Sequence, residues 1–353
     1  MTNTNPPSAH PTARGVAAAA AAAVLFGATT PLVKHFGTGV GPFATATLLY
    51  AGSAIGAGLP ARRDGEPSLG RSEIGRMALV AALGAALAPA SLAWGLQQTG
   101  ALAASLLLNL EVIFTVFLAR AFYREPGGRR MALAVTLMVA GCALLGARDS
   151  ARGSSSALGL LAIVGATLAW ALDSTLTRPL ADFDPSAVVF GKAVSGAALS
   201  GALALMFREP WPLGVGSAAL VACGAAGYGV SLRFYLRAQR VMGAARTASV
   251  FALAPFVGAM LAYALGDRGG ALFVVAAGIL FALAVYLHAT EAHHHRHRHE
   301  PVEHEHAHRH DDGHHDHIHI PRVVGEHSHA HRHESTEHDH QHGADLHHRH
   351  GHQ

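Results

Sequence analysis

The chain has 353 residues, half of them apolar and only 14% charged, with a formal charge of +3. Apolar runs this long exclude an ordinary soluble core, whose helices keep one polar face. The arginines sit in short loops between apolar runs, which excludes a nucleic-acid surface.

Charge splits the chain in two. Residues 1–290 hold 20 Lys or Arg against 11 Asp or Glu, a formal +9; residues 291–353 hold 6 Arg against 12 acids, a formal −6, and 24 of the 27 histidines. A folded body and a separate tail are expected. Residues 1–13 read as a disordered N-terminus. Arg14 and the apolar run Val16–Phe26 imitate a secretory signal, but the run continues past Pro31 and more follow, so an uncleaved first span is expected. Ten apolar runs of about the length a bilayer demands lie near 14–34, 42–61, 76–97, 101–122, 130–147, 157–178, 186–207, 214–237, 244–265 and 269–288. Pro60, Gly65, Pro67 and Gly70 interrupt the longest connection, Arg62–Arg76. Residues 148–156 read as a linker between two five-helix units, 14–147 and 157–290.

With both termini on one side, 15 of the body's basic residues share that side and 5 lie opposite. The positive-inside rule then puts both termini in the cytoplasm. Arg outnumbers Lys, and Ala and Gly are abundant, as in a GC-rich bacterial genome; a bacterial inner membrane is expected. Cys142 and Cys223, the two cysteines, lie inside apolar runs, so no disulfide framework is available.

The chain also echoes itself. A shift of 143 aligns Gly100, Ala101, Leu110, Leu118, Ala119 and Ala121 with Gly243, Ala244, Leu253, Leu261, Ala262 and Ala264; a shift of 144 aligns Phe26 with Trp170 and Lys34 with Arg178. Five spans per unit is odd, so the two units insert in opposite senses, as in many secondary transporters. The fold class expected is an all-α membrane protein of ten transmembrane helices, two inverted five-helix repeats with a disordered C-terminal tail. Gly52 with Gly56, Gly191 with Ser195, and the cluster Gly224, Gly227 and Gly229 permit close helix approach. Pro31, Pro89 and Pro255 lie inside spans and suggest bends.

The stretch Thr99–Glu125, TGALAASLLLNLEVIFTVFLARAFYRE, has its echo in Met242–Asp267. The pattern Gly-Ala-x-Ala-Ala-Ser-Leu-Leu-Leu-x-Leu-Glu, followed by a hydrophobic run and Arg-Glu, resembles the EamA-type branch of the drug/metabolite transporter superfamily over roughly residues 14–288. The resemblance implies a secondary transporter of small molecules, with dimers as one assembly. The chain departs from the family pattern at Val112, where a proline is usual, and at Ala254, where an acid usually precedes Pro255. Each half keeps one member of Glu-Pro, which weakens any mechanism built on two symmetric carboxylates.

Glu111 lies near mid-span. An ionised lone carboxylate there costs ~3 kcal/mol or more, and low dielectric favours its protonated form, so it is a candidate proton carrier or a packing residue held by hydrogen bonds. Asn109 points about 200° away. Trp170, Asp173 and Thr177 share a helix face. Lys192 matches Asp173 in depth, and an Asp173–Lys192 pair would relieve both charges. Trp94 with Gln97 or Gln98, and Tyr228 with Tyr235, are candidates for a cavity lining or for interfacial anchors.

The tail has few apolar residues and no period, and is expected to be disordered. His304, His306, His308 and His310 alternate along the chain, followed by His314, His315, His317 and His319, then His327, His329, His331 and His333. Imidazoles on one side of an extended segment chelate Zn²⁺, Ni²⁺, Co²⁺ or Cu²⁺. No cofactor is required elsewhere, and no pairing of nucleophile and base supports an enzyme. The expected partners are the lipid bilayer, a small-molecule substrate and divalent metals at the tail. Three readings follow: proton-coupled export of a small metabolite or drug, a divalent-metal exporter or metal-gated transporter loaded by the tail, or a non-transporting scaffold or metal buffer.

Overall fold

In this computed structural model, the described residues are 11–58, 71–123, 129–152, 156–177, 180, 183–242, 247, 250–267, 271–289, 293–298, 302–308, 327–333 and 337–342. Among the described residues of the body, all regular structure is helical. In the first half, α1 (Pro11–Gly27) and α2 (Thr29–Phe36) form one rod, followed by α3 (Pro42–Ala57). Next, α4 (Arg71–Val80) passes through a π-helical segment, Ala81–Leu87, into α5 (Ala88–Gln98). Then come α6 (Ala101–Leu107), α7 (Leu110–Tyr123) and α8 (Arg129–Arg152). The second half has α9 (Ala157–Thr177), α10 (Pro185–Met206) and α11 (Val215–Cys223), with a π-helical segment Gly224–Val230 leading into α12 (Ser231–Met242). It closes with α13 (Ala254–Ala264) and α14 (Ala271–Ala289).

Five helical runs are long and apolar enough to cross a membrane: Arg14–Phe36, Glu73–Gln98, Ala157–Thr177, Ser186–Met206 and Val215–Gln239. Shorter apolar helices occupy Ala101–Thr115, Ala132–Leu144, Ala254–Ala264 and Leu272–Leu287. Leu158, Leu161, Leu205, Val215, Leu272 and Ile279 are exposed, while Thr29, Thr45, Ser53, Ser105, Asn109 and Thr167 are buried. Apolar side chains on the surface as well as in the core, with hydroxyls and an amide kept inside, is the distribution a hydrocarbon solvent favours, since lipid gives no reason to hide leucine.

The expected spans differ from the helices in instructive ways. The run 101–122 is not one helix: it breaks at Leu108–Asn109, where Asn109 N–H turns to the Leu106 carbonyl and the Asn109 side chain donates to the same oxygen at 2.9 Å. A side chain that competes for the backbone carbonyl loosens the α-helical ladder. The second half has a turn at the equivalent place, Ala252–Leu253, 144 residues on. The two π-helical segments start at Ala81 and Gly224, 143 apart. Pro31, Pro89 and Pro255 each fall in the first turn of a new helical segment, where a missing N–H goes unnoticed. Helix α3 ends at Ala57 rather than 61, because Gly58 adopts φ 68° and returns its N–H to Ala54 and Ile55. Helix α8 runs on to Arg152, so the expected linker is helical over its first residues.

The glycines decide one crossing. A Cβ on Gly52 or Gly56 would strike the backbone of Val221 or Ala225, and one on Gly224 would strike the Leu49 carbonyl. Helix α3 therefore lies backbone to backbone on α11 and the second π-helical segment, a contact only glycine permits. Elsewhere α1 packs on α12, α5 and α7 on α9, α3 on α10, and α8 on α14.

In the tail, where disorder was expected, the described residues form two antiparallel pairs. β1 (His293–Arg298) lies beside β4 (Glu337–His342), and β2 (Val302–His308) beside β3 (His327–His333). Alternation with period two is the strand pattern, although a two-stranded ladder alone is marginal in water.

Candidate functional site

The first π-helical segment sets the centre. Its looser turn leaves the Gly84 carbonyl to accept from Tyr50 Oη at 2.6 Å and from Trp170 Nε1 at 3.0 Å. Such segments recur at functional sites because they release backbone groups from the ladder. Gly84 also makes room for an acid, since a Cβ there would collide with the Asp173 carboxylate. Asp173 accepts from Lys192 Nζ through Oδ2 and from Thr177 Oγ1 at 3.3 Å through Oδ1. Both charges are buried, at 4% and 9% exposure. At such burial neither charge is tolerable without the other.

Glu111 stands in the first turn of α7, just past the break. It accepts from Ser174 Oγ at 3.4 Å, and Ser174 is the residue after Asp173 on α9. Tyr50 and Tyr228 pack on one another in the same region, with ring centroids 5.4 Å apart. The fold thus gathers Glu111, Trp170, Asp173, Thr177, Lys192 and Tyr228 from four helical rods. Phe26 joins them edge-on to Trp170 and Tyr228, with ring centroids 6.2 and 5.5 Å away. Tyr50 and Gly84 were not singled out from the sequence. A tyrosine in an apolar run reads as core, and a carbonyl has no sequence signal.

The symmetry is structural but not chemical. Gly227 occupies in the second half the place of Gly84, and its Cβ would strike Thr29, which stands where Asp173 stands 144 residues on. One half presents the Thr29 methyl group, its hydroxyl donating to the Phe26 carbonyl at 2.6 Å, where the other presents a carboxylate.

Trp94 and Gln97 lie away from this cluster. Trp94 is 38% exposed. Gln97 lines two cavities of about 230 and 470 Å³ at the far end of α5. Lys34 lines both, and its Nζ donates to the Leu96 carbonyl; Gln98 and Asp267 line the larger. Glu111 lines neither. Among the described residues no three His, Cys, Asp or Glu gather as a metal site. His310, His314, His315, His317 and His319 lie outside the described residues.

The family model of the EamA-like transporter family matches the chain twice, over residues 13–147 and 157–290. The chain belongs to that family. This EamA-like transporter is accordingly a multi-pass membrane protein built of two repeats, which need a lipid bilayer around them. Among solved structures 26 chains match. One, titled only "Crystal structure of protein", has a TM-score of 0.57 and 20% identity, and covers 78% of this chain and 94% of its own. That likeness shows a shared fold. No curated protein matches.

Proposed function

We propose that this EamA-like transporter exports a small organic metabolite or drug by alternating access, with proton movement through Glu111 and the Asp173–Lys192 pair. The reading takes ten crossings, two halves inserted in opposite senses, and both termini at the cytoplasmic face of a bacterial inner membrane. One observation carries it: an acid sits in the first turn after a helix break, beside a buried ion pair, with the break repeated in the other half. Broken helices at mid-span are where inverted-repeat transporters place their sites. Protonating Glu111 removes a charge beside Asp173 and changes what Lys192 must neutralise, which links a proton to rearrangement of the cluster.

Amino acids and divalent metals that raise the melting temperature of the purified protein supply the substrates to test. In proteoliposomes, their uptake should follow an imposed pH gradient, and E111Q should abolish that response while retaining exchange. Uptake indifferent to the gradient in the unaltered protein overturns the coupling.

A second reading, transport or gating by divalent metal through the tail, is favoured by the strand register. His304, His306 and His308 face His331, His329 and His327; His293, His295 and His297 face His342, His340 and His338. Such a ladder sets imidazole-bearing positions opposite one another at every second residue. Deleting residues 291–353 should then change cellular nickel, cobalt or zinc. Unchanged metal content leaves the tail without a transport role.

A further inference from the structure

The end of the bundle remote from Asp173 is tied together by the same motif built twice. Helix α10 ends with Phe207 N–H on the Leu203 carbonyl, Arg208 N–H on Leu205 and Glu209 N–H on Ala204. Helix α13 ends with Leu265 N–H on Leu261, Gly266 N–H on Tyr263 and Asp267 N–H on Ala262. Each end turns on one left-handed residue, Arg208 at φ 51° and Gly266 at φ 104°. Each then delivers an acid to the start of a helix in the other half. Glu209 Oε2 accepts from Ala44 N–H at 2.9 Å, and Asp267 Oδ2 accepts from Leu102 N–H at 2.9 Å. Both partners are 165 residues away in sequence. A glycine precedes each receiving helix and makes room for the acid: a Cβ on Gly41 would strike Glu209, and one on Gly100 would come within 2.9 Å of Asp267.

Neighbouring bonds reinforce the ties. Gly41 N–H donates to the Pro210 carbonyl at 2.9 Å. Ser156, at the start of α9, bonds Gln98 twice: its N–H to the Gln98 carbonyl at 3.1 Å and its Oγ to Gln98 Oε1 at 2.8 Å. Within the first half, Gln97 Nε2 donates to the Val40 carbonyl at 3.0 Å. Arg208 is the sole non-glycine residue with positive φ among the described residues, and such strain persists where the surroundings over-determine it, commonly at switch regions. Ordinary helix caps come from adjacent residues. A cap borrowed twice across the two halves has a different consequence: the ends it joins cannot part without losing it.

We propose that Glu209 and Asp267 form a paired latch that keeps the two halves together at this end, beside the cavities that Lys34 and Gln97 line, and that the transport cycle breaks and remakes both caps. They act as positioning residues, since neither lies in the Glu111–Asp173–Lys192 cluster. The inference rests on the alternating-access reading but is independent of the coupling ion and the substrate.

The test is labelling of a buried reporter. Ser105, 0% exposed and one turn inside Leu102, is replaced by S105C on a C142A/C223A background. A membrane-impermeant maleimide is applied to sealed vesicles of each orientation. E209A/D267A should raise the labelling rate roughly tenfold from the latch side alone, given what two caps contribute. E209Q/D267N, which keep an acceptor oxygen, should stay near the parent rate. If the double alanine protein does not survive extraction, E209A and D267A alone should each give a smaller rise from the same side. Unchanged labelling in folded alanine variants overturns the latch, as does an equal rise from both sides, which would mean general loosening. Gradient-driven uptake with unchanged labelling rejects the latch and leaves the transport reading standing; latch-dependent labelling without a gradient response rejects the coupling alone.

Discussion

Asp173 and Lys192 hold each other in place where neither is stable alone. Removing one leaves a buried charge unpaired, so K192A or D173A should lose ~3–5 kcal/mol of stability. Thermal melts in detergent should show this as a large fall in midpoint, recovered in part by the apolar double replacement D173L/K192M. Gly84 is the second sensitive residue. G84A puts a methyl group into the Asp173 carboxylate and should cost ~1–3 kcal/mol through overpacking. The control is G75A in α4, where a Cβ meets nothing within 4 Å. That change should stabilise by up to ~1 kcal/mol, the helix preference for alanine over glycine. Opposite signs from the same substitution would tie the loss to Asp173 rather than to backbone entropy.

Among elements, the paired irregularities matter most. A π-helical segment in each half and a turn in each half recur at offsets of 143 and 144. Irregular backbone inside a span survives only where protein satisfies it. Here Tyr50 and Trp170 do so for Gly84. Y50F should therefore lose ~1 kcal/mol, a typical net hydrogen bond, measurable in the same melts. The crossing of α3 over α11 is similarly exacting. G224A drives a methyl group into the Leu49 carbonyl, a backbone atom that cannot swing aside as a side chain could. It should destabilise more than G84A, whose obstacle is a side chain.

At the scale of the whole molecule, the two ends are held differently. Glu209 and Asp267 join the halves at one end, and Arg233 reaches the Ala57 carbonyl at 2.7 Å near the other. Among the described residues, the core cluster of the body draws on residues from Phe26 to Leu287. Deleting residues 291–353 should leave the melting midpoint unchanged, while Zn²⁺ bound per chain, measured by calorimetry, falls steeply. A lowered midpoint would mean that the tail braces the bundle.

Much was legible without coordinates. Long apolar runs name their solvent, because an all-round apolar helix cannot face water. Depth along a span is a count of residues, so Asp173 and Lys192 could be matched before any contact was known. The family pattern around Glu111 was equally readable. The break at Leu108–Asn109 was not: proline, the usual signal, is absent, and a side-chain hydrogen bond takes its place. Nor could sequence distinguish Glu209 and Asp267 from loop acids bathed in water, since a capping partner 165 residues away leaves no local trace. The sequence by itself determined the solvent, the repeat and the burial of Asp173 with Lys192, because these follow from composition and spacing along one chain. Only the tertiary structure decided which carbonyl Tyr50 and Trp170 share, which glycines carry a crossing and which acids span the halves, because hydrogen bonds and steric exclusion act between surfaces that meet only after folding.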